Sequence, residues 1–169
     1  VILQLNGKTY REISSIEISQ AINSHHFFSI RLRSEKIGEA ANSFMEKARD
    51  FAGSDLVLEI TSNLKEKLVF RGVVTSIRSA ATSRSELGHT VILEGYSTTI
   101  LLDNGAHCQV YQDKKLKDIG EEICREFPVN SLNPMINPAN KEKLPYILQY
   151  QETPFNFLNR IANRFGEWF

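Results

Sequence analysis

The feature that most limits the fold is a glycine inside a long apolar run. From Lys67 to Ser79 the chain reads Lys-Leu-Val-Phe-Arg-Gly-Val-Val-Thr-Ser-Ile-Arg-Ser, with Gly72 where a strand would ordinarily place a packing side chain. A residue without a Cβ lets a sheet bend sharply or lets another backbone come close. Gly95 occupies the same kind of place in the run from about His89 to Thr98. Two long strands that can bend favour a closed antiparallel barrel over an open sheet.

The other periodicities agree. Alternation of apolar and polar residues predicts strands at about 2–5 and 9–19, with Asn6-Gly7 as the hairpin turn between them and a slip near Ser14-Ser15 that reads as a bulge or a strand change. His26 to Arg33 puts Phe28, Ile30 and Leu32 on one face, and Asp55 to Thr61 puts Leu56, Leu58 and Ile60 on one. Between these two, Ile37, Ala41, Phe44, Ala48 and Phe51 recur at steps of three and four, which predicts an amphipathic helix near 35–52, capped by Ser34 and stopped by Gly53.

After Asp103 the character changes. Asp103-Asn104-Gly105 is a turn, and Leu116, Ile119, Ile123 and Phe127 mark one face of a helix near 114–127 that ends at Pro128. The stretch 131–140 contains Asn133-Pro134 and Asn137-Pro138, which continue neither helix nor strand and predict an extended linker, and the domain seam is expected there. Tyr146 to Tyr150 reads as a short strand. Thr153 and Pro154 then supply an N-cap and an N1 proline, Leu158, Ile161, Ala162 and Phe165 follow at helical spacing, and Gly166 is the stop. The expected class is mainly β with helical insertions, an α+β chain. Residues 1–103 would form the first β-barrel with its inserted helix, 104–140 a helical segment and linker, and 141–169 the truncated start of a second barrel. Val1 in place of an initiating Met, and an ending at Trp168-Phe169 that reads like a strand just begun, suggest a fragment.

Chemistry is sparse by comparison. Twenty Lys and Arg balance twenty Asp and Glu, which removes the electrostatic argument for nucleic acid. Charged or polar residues interrupt every apolar run before the roughly 20 residues a bilayer span needs, and no signal peptide is visible. Cys108 and Cys124 are too few for a disulfide scaffold, and His25, His26, His89 and His107 lack metal-ligand spacing, so no metal and no cofactor are expected. Cys108 follows His107 directly, but neighbours on extended chain point to opposite faces and make no dyad. Glu121, Glu122 and Glu152 read as solvated helix-side carboxylates rather than a glycan-cleaving pair. Arg160 and Arg164, at i and i+4, suit either an acidic partner or an internal carboxylate.

The tail carries a resemblance. The run from Leu144 through Gln149-Tyr150-Gln151-Glu152-Thr153-Pro154-Phe155-Asn156-Phe157-Leu158-Asn159-Arg160-Ile161 to Gly166-Glu167-Trp168-Phe169 resembles the Gln-Tyr-x-Glu-Ser/Thr-x-x-x-Phe-Leu-x-Arg-Leu/Ile pattern of the Vgr family, the type VI secretion spike proteins similar to baseplate hub and late-control proteins of contractile phages. Phe70-Arg71-Gly72-Val73-Val74 is similar to a strand of that family's first barrel. Tyr111-Gln112-Asp113-Lys114-Lys115-Leu116-Lys117-Asp118-Ile119 resembles the opening of its inter-barrel helix, with Lys115 in place of the usual small hydroxyl cap.

The resemblance implies a non-enzymatic, structural role: a trimeric spike base that adapts a threefold spike to a hexameric, Hcp-like tail tube, with effector proteins as possible cargo and no direct membrane insertion by this piece. It implies assembly in the bacterial cytoplasm before firing and export by the injection machine. Interfaces of this kind favour exposed aromatics and arginine, which makes Tyr146, Tyr150, Phe155, Phe169, Arg160 and Arg164 the interface candidates, although Phe155 and Phe169 also suit a core. Gly72, Gly95, Thr153, Pro154, Leu158 and Gly166 are the expected structural positions. The alternatives are a spike-associated glycan hydrolase or esterase, and a stand-alone binding module.

Overall fold

The computed structural model of the chain describes residues 1–33, 51–81, 89–128, 131–132 and 134–168. They divide into two compact units, one made of Val1–Gln20 and His26–Ser97, the other of Ala21–His25 and Thr98–Phe169.

The first unit is a seven-stranded antiparallel sheet curled into a half-barrel. Its strands are β1 (Ile2–Leu5), β2 (Lys8–Tyr10), β3 (Ile13–Ser19), β4 (Phe27–Arg33), β5 (Asp55–Thr61), β6 (Lys67–Ala81) and β7 (His89–Ser97), in the order β2-β1-β5-β6-β7-β4-β3. The expected strand at 9–19 is two strands, because β2 pairs with β1 at one edge of the sheet and β3 with β4 at the other. Two residues, Arg11 and Glu12, join those edges. Three Cα–Cα steps span at most about 11 Å, so the sheet has to curl until its edges nearly meet. The slip near Ser14 is a bulge, seen as a register shift between Ile13 and Ser15. A second shift, between Val74 and Ser76, bends β6 against β7.

Inside the curl lie Leu3, Leu5, Phe28, Ile30, Leu32, Leu56, Leu58, Val74, Val91 and Leu93, none more than 2% exposed. Gly72 and Gly95 both make room for Phe28. A Cβ on Gly72 would stand 2.7 Å from the Tyr96 carbonyl oxygen and 2.8 Å from Phe28 Cε1, and one on Gly95 would stand 2.8 Å from Phe28 Cζ and closer still to the Val73 carbonyl. The glycines that the sequence marks as bending points are therefore places where a ring and a neighbouring strand come too close for any side chain. Most of the expected helix at 35–52 lies outside the described residues. Its end is visible at Phe51, which is helical and buried, followed by Gly53 at φ 77°.

The second unit contains a 3-10 segment (Thr98–Asp103), strand β8 (His107–Lys114), helix α1 (Leu116–Cys124), strand β9 (Leu144–Glu152) and helix α2 (Pro154–Arg164). Strands β8 and β9 form a separate two-stranded antiparallel sheet. One core joins Leu102, Tyr111, Ile119, Ile123, Leu132, Ile147, Phe157 and Leu158. The 131–140 stretch itself reaches that core: Leu132 is buried in it, and Ile136 sits over Gly120, whose missing Cβ would stand 2.7 Å from Ile136 Cδ1. Prolines forbid helix there, and the described residues of the stretch pack rather than link.

Candidate functional site

The candidate surface is the outer face of the β8–β9 sheet. Register pairs Cys108 with Tyr150, Val110 with Leu148 and Gln112 with Tyr146, and paired residues in an antiparallel sheet share a face. The opposite face carries Tyr111, Ile147 and Gln149, all buried. On the outer face Tyr146 is 54% exposed, Tyr150 63%, Val110 47% and Leu148 38%. This is a continuous apolar row on a sheet of two strands, each with one edge unpaired within that sheet. A hairpin-sized sheet is marginal on its own, and here the core beneath holds it.

Helix α2 fixes that sheet from behind, and the sequence dictates how. The Thr153 hydroxyl accepts the Asn156 backbone N–H at 3.2 Å, as an N-cap should, and Pro154 follows at N1. Phe157 stacks on Tyr111 with ring centroids 5.4 Å apart, and Leu158 and Ile161 complete the buried stripe. The helix ends at Gly166, at φ 67°, with the Gly166 N–H donating to Asn163 O.

Arg160 is engaged inside the chain. Its Nε donates to both Glu152 carboxylate oxygens at 3.1 and 3.2 Å, and its terminal nitrogen donates to Glu152 at 2.5 Å and to the Leu148 carbonyl at 2.7 Å. The guanidinium carbon lies 5.4 Å from the Phe157 ring centroid. Hydrogen bonding to Glu152 raises the Arg160 pKa further. The Glu-x₇-Arg part of the tail pattern is therefore a clamp between β9 and α2. Where it leaves β9 the chain bulges: Gln151 stands at φ 48°, and the buried Gln149 side chain donates to the Glu152 carbonyl at 3.0 Å, filling the kink.

Of the remaining interface candidates, Phe155 is 7% exposed and belongs to the core. Arg164 is exposed, with its guanidinium 5.7 Å from the Phe165 ring centroid, and Phe169 lies outside the described residues. The carboxylates weighed for catalysis are all paired: Glu121 with Lys117 and Arg125, Glu122 with Lys114, Glu152 with Arg160. Among the described residues no group of three His, Cys, Asp or Glu side chains is placed to hold a metal ion, and no helix is long and apolar enough to cross a membrane.

Sequence reasoning missed one cluster. His25 has a side chain 12% exposed and uses both ring nitrogens, Nε2 at 2.9 Å from Asp103 Oδ2 and Nδ1 at 2.9 Å from the Thr99 hydroxyl. A carboxylate only accepts, so Nε2–H donates to Asp103, and in the neutral ring Nδ1 accepts from Thr99. The ring lies 3.7 Å, centroid to centroid, from Phe155. Asp103 also accepts the Thr153 hydroxyl at 2.6 Å, so the α2 cap and His25 share one carboxylate. Asn23 adds a hydrogen bond to Asn163 at 3.0 Å and accepts one from Asn159 at its carbonyl. No local motif marks these partners, because His25 and Asp103 are separated by 78 residues.

The comparisons with known proteins agree with this architecture. The family described as phage tail baseplate hub (GPD) matches residues 20–169. Over 100 residues the chain is 24% identical to the type VI secretion system spike protein VgrG1c of Pseudomonas aeruginosa and 23% identical to VgrG1b of the same organism, a stretch covering 59% of this chain and 13% of each relative. Among solved structures, the 43 kDa tail protein of prophage MuSo2 from Shewanella oneidensis superposes with a TM-score of 0.68 at 19% identity, covering 98% of this chain and 49% of that one. The E. coli c3393 protein, a type VI secretion component with structural similarity to the T4 tail proteins gp27 and gp5, superposes at 0.65 and 18% identity, covering 95% and 42%. The chain therefore spans less than half the length of these relatives.

Proposed function

We propose that this chain, which belongs to the phage tail baseplate hub family, forms with further copies of itself the base of a spike, adapting a threefold spike to a hexameric, Hcp-like tube. Its role is that of a structural component of a contractile injection apparatus. The observation that carries the reading is the apolar outer face of β8–β9: Tyr146, Leu148, Tyr150 and Val110 expose a row of large side chains that a surface with no partner would not retain. Tyrosines that are apolar in body and polar at the tip are common anchors of assembly interfaces. Arg160 supports that face from within by holding β9 to α2, and Arg164 remains outside, available to a partner.

In this reading the hub is built in the bacterial cytoplasm, leaves the cell with the fired spike, carries effector proteins at most as cargo and performs no chemistry. The test is the double variant Tyr146→Asp/Tyr150→Asp in the complete protein, followed by light scattering after gel filtration. The expected result is loss of the trimer with an unchanged melting temperature for each separated subunit. A trimer that persists at the wild-type concentration dependence would remove this face from the interface.

A further inference from the structure

Two apolar features are not part of that face. The first is the tip of the β5–β6 hairpin. Leu64 is 82% exposed there, with Leu68 and Val69 about half exposed beside it. The turn is rigid: the Ser62 hydroxyl accepts the N–H groups of Leu64 and Glu66, both at 3.2 Å, the Ser62 N–H donates to Glu66 O at 2.8 Å, and the Lys65 N–H donates to Ser62 O at 3.0 Å. A turn so fully bonded holds a leucine outward without using its side chain at all, and any polar residue would serve the turn better in water.

The second feature is a groove of about 400 Å³ in the other unit, its floor formed by Leu158, Ile161 and Ala162 of α2 and its rim by Met135, 99% exposed, and Trp168, 83% exposed. Glu167 is the charged residue lining it, with one carboxylate oxygen accepting the Asn140 N–H at 2.9 Å. The hairpin tip carries Lys65, which is exposed, and Lys67, paired with Glu59 at 3.0 Å.

We infer that the Leu64 tip of one copy seats in the α2 groove of a second copy, with Leu64 against Ile161 and Ala162 and Lys65 near Glu167. A rigid apolar projection and an apolar groove of sufficient volume, with a cation on one and an anion beside the other, are complementary in shape and in charge. One feature belongs to each unit, so each copy carries both, and a contact between the tip of one copy and the groove of another is heterologous: it runs head to tail and closes into a ring when the rotation permits. The area at the tip is small beside that of a stable interface, so the contact orders copies that other surfaces also hold. The proposal goes beyond the hub reading, which assigns nothing to the hairpin or the groove.

Thiol trapping tests it without requiring a stable pair. In a Cys108→Ser background, Leu64→Cys and Met135→Cys are made as separate proteins, mixed in equal amounts and mildly oxidised. Cys124 lines the groove, so both proteins also carry Cys124→Ala, which leaves one thiol in each. The expected product is the mixed dimer, well beyond the share that random pairing of equal amounts would give. Ala162→Trp in the Met135→Cys partner fills the groove and lowers the trapping rate about tenfold, as loss of one buried leucine requires. Glu167→Lys, which leaves the groove open, lowers it as well. Statistical amounts of the three dimers, or trapping indifferent to Ala162→Trp in a protein that still melts cooperatively, overturn the contact. If the complete protein remains a trimer in that case, the hub reading stands while this inference fails.

Discussion

The Phe28 ring lies over the backbone of Gly95, its Cζ 2.8 Å from where a β-carbon would stand. Phe28 is fully buried, and at the Cε1 edge of the same ring Gly72 is equally stripped of space. The half-barrel closes over one aromatic residue because two neighbouring strands carry no side chain there. At both glycines the obstruction includes a backbone carbonyl, Tyr96 O or Val73 O, which moves only if the strand moves. Gly72→Val should therefore lower stability by at least about 1 kcal/mol, and Gly95→Ala by about 1–3 kcal/mol. Adding Phe28→Leu should not recover the loss, since the carbonyl remains. Urea midpoints of the three proteins decide this, and an unchanged midpoint for Gly95→Ala would refute the steric account.

Arg160→Lys is predicted to behave like a deletion. Lysine has the charge but not the planar fork that reaches both Glu152 oxygens and the Leu148 carbonyl together. The site is partly open to solvent, which screens the ion pair, so the cost should be about 1–2 kcal/mol and fall mainly on the lost hydrogen bonds. Hydrogen exchange should show it first at the amides of β9. Equal protection in the two proteins would mean that the clamp contributes nothing.

Alkali should unfold the second unit. Burial raises the Tyr111 hydroxyl to about 12, helped by the charges of Glu122 and Glu126, and raises the Cys124 thiol to about 11. Both groups are neutral when protonated and ionise more readily in the unfolded chain. Their contribution is complete below the unfolded values of 9.0 for Cys124 and 10.0 for Tyr111, and is lost as pH climbs through about 11 and about 12. Tyr111→Phe should flatten the fall in melting temperature above pH 10. A fall as steep as in the wild type would assign the alkaline transition to other groups.

What the sequence revealed and what it hid follow from the range of the interactions. Helix α2 was legible to the residue because its signals are local: a hydroxyl cap, a proline behind it, a periodic stripe and a glycine stop. Strand β8 was not, because among Cys108, Gln109, Val110, Tyr111 and Gln112 Tyr111 is the buried one, and its outer face is as apolar as its inner one. No alternation survives that arrangement. The break at Arg11-Glu12 was invisible for another reason, since it depends on which partner each flanking strand finds. Tyr146 and Tyr150 stand exposed where interface residues were expected, whereas Phe155 is buried against His25 and Arg160, though still exposed, is engaged by Glu152, partners that sequence spacing does not single out.

His25 and Asn23 belong to the second unit, although residues on either side of their short segment belong to the first. The chain therefore visits the second unit early, leaves it for more than seventy residues and returns at Thr98. No single cut yields two intact halves: a piece beginning at Thr98 keeps α2 and its Thr153 cap but leaves behind the imidazole that shares Asp103. Newly made chain faces the same constraint, because the hydrogen bonds of Asn23 wait for Asn159 and Asn163. That closure spans most of the sequence, and a loop so long makes it a late event in folding.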